Sequence, residues 1–315
     1  MNILIAGGSG QLGTILARTF QADGHQVTVL SRKAVEKPWR VVVWDARTLG
    51  DWTIEIESAD IVINLAGRSV NCRYNEQNRR EIIESRVDST RIIGEAIAHA
   101  LNPPRLWLQM STATIYAHRF DAPNDEYTGI LGGSEPNVPE TWRFSIEVAK
   151  QWERAVDEAI TPKTRKIKMR SAMVMSPDAE GVFDTLLTLV KRGLGGRAAD
   201  GKQYVSWIHH EDFIRAVYWL IENNEMEGVV NIAAPNPLTN AEFMSQLRTA
   251  QGVLFGLPAT KLMLEIGAVF MKTETELILK SRRVIAKKLM DSGFKFKFET
   301  WQKAAINLCG QSAQS

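Results

Sequence analysis

The sequence is poor in metal-binding and cross-linking residues, with two Cys and five His among 315 residues. Cys72 and Cys309 lie far apart, form no CxxC pair and have no His at ligand spacing, which argues against a disulfide framework or a structural zinc. A reducing cytoplasm is the expected setting. Charge of one sign is also lacking: 38 Lys+Arg face 36 Asp+Glu, a formal charge of +2. No net field draws polyphosphate, so nucleic-acid binding is not expected and any anion site has to be local. No stretch reaches the about 18 to 20 uninterrupted apolar residues of a membrane span. At the start, no basic segment precedes an apolar run, and Ile3 to Ala6 leads directly into glycines, as a strand and turn would and a signal peptide would not. What is present is enough apolar material, 44% of residues, for about two domains at ~150 residues each.

Short apolar runs alternate with longer stretches of helical period, the pattern of a parallel sheet whose strands are joined by crossover helices. Strands are expected at 3–6, 26–30, 40–44, 60–66, 105–110, 167–175 and 229–233. Leu12, Ile15, Leu16 and Phe20 share one helical face, and Ile82, Ile83, Ile93, Ile97 and Leu101 share another. The alternation fades after Ala233. Pro235 and Pro237 break the chain, and Thr239-Asn240-Ala241-Glu242 has the form of a capping box opening a helix. The expected fold is α/β: a Rossmann-type doubly wound parallel sheet with a smaller, mostly helical C-terminal lobe. Residues 1–175 and 203–233 are assigned to the nucleotide-binding domain, and 176–202 with 234–315 to the second lobe. The basic run Lys280, Arg282, Arg283, Lys287, Lys288 is interleaved with apolar residues at helical spacing and reads as a solvated helix face.

Gly7-Gly8-Ser9-Gly10-Gln11-Leu12-Gly13 follows the first strand and opens the first helix. Gly7, Gly10 and Gly13 at this spacing permit a tight turn, approach of a pyrophosphate to the helix N-terminus, and close helix–strand packing. Strand, motif and helix in this order point to a dinucleotide site. A NAD-preferring site would carry Asp or Glu at the end of the second strand; here the strand ends Val29-Leu30-Ser31-Arg32. Ser31 can donate to a 2′-phosphate and Arg32 can pair with it, so NADP(H) is expected in preference to a merely exposed Arg. Asn64-Leu65-Ala66-Gly67 offers small residues on which adenosine could rest. Glu81 and Arg86, taken alone, read as surface ion-pairing residues of the long helix.

These pieces, together with Ser111-Thr112-Ala113-Thr114-Ile115-Tyr116 after the fifth strand, resemble the extended short-chain dehydrogenase/reductases, the superfamily of nucleotide-sugar epimerases and dehydratases. Trp207-Ile208-His209-His210-Glu211-Asp212, the segment Ala234 to Phe243 and the tail from Leu277 through Asp291-Ser292-Gly293-Phe294 are similar to one subgroup. It is the atypical "epimerase family protein" group, family 39U, with its own C-terminal domain of unknown function. The resemblance covers nearly the whole chain and implies NADP(H) as cofactor. Carried over by position, it places Leu65, Ala66, Glu81, Arg86 and Val174 at the cofactor site, beside Gly7, Ser9, Gly10, Gln11, Leu12, Gly13, Ser31, Arg32, Gly67 and Ser111.

The superfamily's acid/base set is a Ser after the fifth strand and a Tyr-x-x-x-Lys on the next helix, the Lys lowering the Tyr pKa. Ser111 occupies the Ser position. Registering Glu153 on the usual Glu puts Ser145 at the Tyr position and Ala149 at the Lys position. Lys150 is one residue away, about 100° around the helix. The remaining phenols near enough in sequence are Tyr116, Tyr127 and Tyr74, with Tyr116 taken beside Ser111 as the catalytic candidate, although packing is its usual role in the superfamily. His209 reads as a hydrogen-bonded histidine at a strand-to-helix corner. Two functions follow: an NADP(H)-dependent oxidoreductase or epimerase of a small substrate held between the lobes, or a non-catalytic NADP(H) sensor or scaffold with a protein partner.

Overall fold

The computed structural model describes residues 1–270 and 274–312. The chain runs β1 (Asn2–Ala6), α1 (Gln11–Ala22), β2 (Gln26–Ser31), β3 (Arg40–Val43), α2 (Ile54–Ser58), β4 (Ile61–Asn64), α3 (Glu76–His99), β5 (Leu106–Thr112) and α4 (Glu140–Glu158). It continues through β6 (Arg165–Ser171), β7 (Met173–Met175), α5 (Val182–Lys191), β8 (Tyr204–Val205), β9 (Trp207–His209), α6 (His210–Glu222) and β10 (Gly228–Ile232). The rest holds β11 (Leu238–Thr239), α7 (Asn240–Gln251), α8 (Lys261–Phe270), α9 (Glu276–Leu279), α10 (Lys287–Asp291) and α11 (Trp301–Ser312).

Seven strands form one sheet in the order β10-β6-β5-β4-β1-β2-β3, and every neighbouring pair is parallel. Both faces are covered by helices, so the central strands are buried along their length: all four residues of β4 and six of the seven in β5, including the polar Asn64, Gln109 and Ser111 near their carboxyl ends. Strand order reverses between β1 and β4. The loops leaving their carboxyl ends therefore diverge and open a crevice there, the place where doubly wound sheets bind ligands. On α1 the buried face is Gly13, Ile15, Leu16, Ala17 and Phe20, packed on β1 and β2. The capping box forms as expected, Thr239 Oγ1 accepting from Glu242 N and the Glu242 carboxylate accepting from Thr239 N.

Four expectations need correction. The run 167–175 is two strands: β6 pairs with β10 as far as Ser171, after which the chain leaves the main sheet and β7 pairs with β9. Only Ala172 separates the two strands, so the sequence pattern shows no break between them. The short strands β8, β9 and β11 carry too few residues to show a period. Leu101 lies beyond the end of α3 and is exposed.

The fourth correction is the basic run. Lys280, Arg282 and Arg283 are not on a helix, and Lys280 is fully buried. Lys280 Nζ donates to the Thr114 carbonyl at 2.5 Å, and Arg282 pairs with Glu276 at 2.8 Å and donates to Thr114 Oγ1 at 3.0 Å. The segment is an extended strap over the end of β5. A second core joins Phe183, Leu187, Trp207, Phe243, Leu247, Trp301 and Leu308, gathering α5, α7 and α11. Ala286, Leu289 and Phe294 pack instead in the main core beneath the sheet.

Candidate cofactor and substrate site

Gly7 leaves β1 with φ +72°, and a Cβ there would stand 2.6 Å from the Ala66 Cα. Only glycine permits this approach of the two loops that bound the crevice. At Gly13 a Cβ would lie 2.2 Å from the Gly8 Cα, so the first turn of α1 sits directly on the glycine loop. Gly10 caps α1 without a side chain, leaving the first N–H groups of the helix for a ligand or water. Across the crevice, Asn64 Nδ2 donates to Gln109 Oε1 at 3.0 Å while Asn64 Oδ1 accepts from Ala66 N at 3.0 Å. This buried amide fixes the Leu65-Ala66 turn.

The resulting cleft has a volume of about 750 Å³. Gly7, Ser9 and Gly10 line one side, Ser31 and Arg32 the end at β2, Leu65, Ala66 and Gly67 the other side, and Glu81 the rim on α3. Arg32 is exposed and makes no ion pair or hydrogen bond among the described residues. Gln11, Leu12 and Gly13 form the first turn of α1 outside the cleft lining, and the buried Gln11 Nε2 has no partner there. Val174 is buried in β7.

Sequence reasoning missed the segment after β3. Trp44, Asp45, Ala46 and Arg47 also line the cleft, because Ser31 and Val43 are paired neighbours at the carboxyl edge of the sheet. That adjacency was the available signal. Asp45 accepts from Thr48 Oγ1, Thr48 N and Arg47 N, which holds its carboxyl down at about 2. Arg47 bridges to Glu84 at 2.8 Å and Asp88 at 3.4 Å, and Arg68 pairs with Glu81 at 3.0 Å.

Arg86 differs from these paired arginines. Its side chain is half-buried, and the guanidinium donates to the Ile82 carbonyl at 3.0 Å, lies over the Trp152 ring at 5.0 Å and abuts Gly67. No carboxylate among the described residues is within ion-pair distance of it. Burial pulls its pKa down to about 10. A buried cation with no counter-charge is expensive unless an anion joins it.

Beyond Arg86 a smaller cavity, of about 110 Å³, lies among Tyr74, Thr112, Thr114, Ser145, Trp152 and Glu276. Ser145 Oγ donates to Glu276 Oε2 at 2.8 Å, and the Tyr74 hydroxyl is 3.4 Å from Ser145 Oγ. The two catalytic candidates are elsewhere. Ser111 donates to Glu153 Oε1 at 2.6 Å, and Glu153 takes two bonds of 2.7 Å from Arg170. Arg170 donates to the Tyr116 hydroxyl at 3.0 Å, which donates to Asn231 Oδ1 at 2.9 Å. Ser111 and Tyr116 are thus joined through one buried ion pair and lie outside both cavity linings. Tyr127 is exposed. Lys150 turns to the Gly132 carbonyl at 2.8 Å. His209 is buried against Phe298, accepts from Glu211 N at 3.1 Å and bonds Asn307 Oδ1 at 3.1 Å. Burial lowers its pKa to about 3, so it stays neutral.

The model of the "NAD dependent epimerase/dehydratase family" matches residues 3–233. The chain belongs to that family. A "domain of unknown function (DUF1731)" matches residues 259–308, a span that includes Glu276, Lys280 and Arg282. Among relatives of this epimerase/dehydratase family member, the human "Epimerase family protein SDR39U1" is 30% identical over 301 residues, covering 95% of this chain and 96% of the relative. "Epimerase family protein YfhF" of Bacillus subtilis is 28% identical over 311 residues, covering 98% of each. The crystal structure of human SDR39U1 (isoform 2) with NADPH superposes with a TM-score of 0.86 at 28% identity, covering 98% of this chain and 99% of that one. A nucleoside-diphosphate sugar epimerase from Corynebacterium glutamicum gives a TM-score of 0.77 at 26% identity over 99% of this chain and 58% of its own length. Within the family fold, this member has Ser145 and Ala149 on the face of α4 where the sequence register puts Tyr and Lys, with Ala149 buried.

Proposed function

We propose that the chain binds NADP(H) in the 750 Å³ cleft and acts as an oxidoreductase or epimerase on a small substrate in the adjoining cavity. The observation that carries this reading is a pair of uncompensated positive features in the cleft, Arg32 at one end and the uncapped N-terminus of α1, with Arg86, unpaired among the described residues, lining the adjoining small cavity behind Gly67. β2 itself ends without an acid, and Asp45, which lines the same end from beyond β3, has its carboxylate taken up by Thr48 and the Arg47 N–H. Ser31 and Arg32 would hold the 2′-phosphate, and the N–H groups of the turn after Gly10 would hold the pyrophosphate. Leu65, Ala66 and Gly67 would carry the adenosine, with Glu81, Arg86 and Val174 completing the site. The NADPH bound by SDR39U1 supports the same cofactor. When bound, the nicotinamide supplies hydride exchange; the chain's residues bind, orient and move protons.

Ser111 and Tyr116 are read as structural, since both hydroxyls are committed to the Glu153–Arg170 pair. The residues 176–202 and 234–315 are read as the substrate-side lobe, and a cytoplasmic location accompanies two free cysteines. Among the described residues no helix is long and apolar enough to cross a membrane. A second reading, a non-catalytic NADP(H) sensor with a protein partner, is favoured by Ser145 and Ala149 at the Tyr and Lys positions. Titration with NADPH and NADH tests the cofactor, and multiple turnovers against a panel of small alcohols and carbonyl compounds separate enzyme from sensor. NADPH binding that stabilises the fold without turnover would favour the sensor.

A further inference from the structure

We infer that Tyr74, Ser145 and Glu276 form a proton relay that replaces the absent Tyr-x-x-x-Lys pair, exchanging a proton with the hydroxyl of a small alcohol or its carbonyl product. The inference rests on the cofactor reading above. Its basis is the order of donors. Glu276 is fully buried and receives Arg282 on Oε1 at 2.8 Å, so Oε2 is left to accept from Ser145 at 2.8 Å. A serine hydroxyl has one proton. With that proton on Glu276, the contact of 3.4 Å must run from the Tyr74 hydroxyl to Ser145 Oγ.

The direction of the chain is therefore Tyr74 to Ser145 to Glu276, and the phenol oxygen keeps its lone pairs for the cavity it lines. A substrate O–H can give its proton to Tyr74 Oη as Tyr74 passes its own to Ser145 Oγ and Ser145 passes its own to Glu276 Oε2. One O–H bond breaks and one forms at each hydroxyl, and the net change is one proton moved from substrate to carboxylate. Reversal of the same steps returns the proton to a reduced carbonyl oxygen.

The relay explains how a tyrosine can serve without the lysine. In the Tyr–Lys arrangement the cation favours phenolate. Here burial, followed by the charge of Glu276, pushes the Tyr74 phenol up to about 12. Phenolate is disfavoured, and a concerted relay never forms it. The tail also fixes the outer end, because Glu274 accepts from Tyr74 N at 2.8 Å and pairs with Arg73 at 3.2 Å. Phe144 packs edge-on against the Tyr74 ring at 5.0 Å. The C-terminal domain thus contributes the proton acceptor as well as the clamp.

The test uses the full chain labelled with 3-fluorotyrosine, whose lowered phenol pKa brings ionisation into a measurable range. The Tyr74 resonance is assigned by its loss in Tyr74→Phe, which keeps the ring packing. With NADP+ bound, Glu276→Gln should lower the Tyr74 midpoint by a unit or more, about tenfold in its ionisation constant; Glu276→Asp supplies a second variant if Gln does not fold. Tyr74→Phe and Ser145→Ala should each lower kcat for NADP+-linked oxidation of small secondary alcohols by ~10²-fold or more, with the NADPH Kd changed less than twofold. A midpoint unmoved by Glu276→Gln, or Tyr74→Phe turning over at the wild-type rate, overturns the relay while leaving the cofactor reading intact. A chain that turns over no alcohol or carbonyl compound yet binds NADP(H) overturns it as well. Failure to bind NADP(H) at all overturns the cofactor reading itself.

Discussion

Replacing Lys280 by methionine should change how the stability of the fold depends on pH. The lysine is 1% exposed, and burial, with the nearby Arg282 cation, pulls its pKa from 10.5 down to about 7. A lysine whose folded pKa lies below its unfolded value binds its proton more weakly in the native state. Between pH 7 and pH 10.5 the unfolded chain therefore holds more proton, and stability rises with pH through that window. At 1.36 kcal/mol per pKa unit, the cost of burying the charge is ~4 to 5 kcal/mol below pH 7 and fades above pH 10. From pH 7 to pH 9 the wild type should gain about 2 kcal/mol relative to Lys280→Met. The variant also loses the bond to the Thr114 carbonyl; whatever the ammonium gains over the amine there is already contained in the lysine pKa, and the remainder is a constant offset. Urea denaturation of both proteins at pH 7, 8 and 9 measures the difference. A difference that stays flat, or that falls as pH rises, refutes the electrostatic account of the strap.

Two further substitutions probe other parts of the site. Glu153→Ala leaves Arg170, whose side chain is 10% exposed, without its two-bond partner and should cost ~3 to 5 kcal/mol in the same denaturation assay; combined Glu153→Leu and Arg170→Met should recover most of it. A single-variant loss below ~1 kcal/mol would show that the pair is not desolvated as described. Gly7→Ala places a Cβ against the Ala66 backbone at φ +72° and should destabilise by ~1 to 3 kcal/mol. It should also weaken NADPH binding at least tenfold by calorimetry, and unchanged affinity would remove the glycine turn from the cofactor site.

The sheet and the glycine turn were legible because each depends on neighbours in sequence. Gly7 to Gly13 is one local turn, and residues 3–6, 61–63 and 106–108 are unbroken apolar runs because parallel strands bury both faces. What escaped detection depends on partners distant in the chain. Lys280 and Arg282 have the spacing of an exposed helical face, yet Lys280 is buried and Arg282 half-buried because Thr114, far back in the chain, meets both. Arg86 alternates with apolar residues like any surface arginine, and only Trp152 and Gly67 reveal its burial. Tyr74 was one of three phenols with no local feature to separate them. Contacts with Ser145 and with Glu274, both far along the chain, bring it to the cavity.

The central claim is that an anion site built from Arg32, the α1 N-terminus and Arg86 selects NADP(H). Calorimetric titration of the wild type and of Arg32→Asp with NADPH and with NADH measures it directly. The account predicts that the wild type prefers NADPH by roughly 10- to 100-fold, the worth of about 1.5 to 3 kcal/mol for a charge-assisted contact. Arg32→Asp should abolish or invert that preference while NADH affinity holds. Equal affinity for the two cofactors in the wild type, or a ratio unchanged by Arg32→Asp, would contradict it.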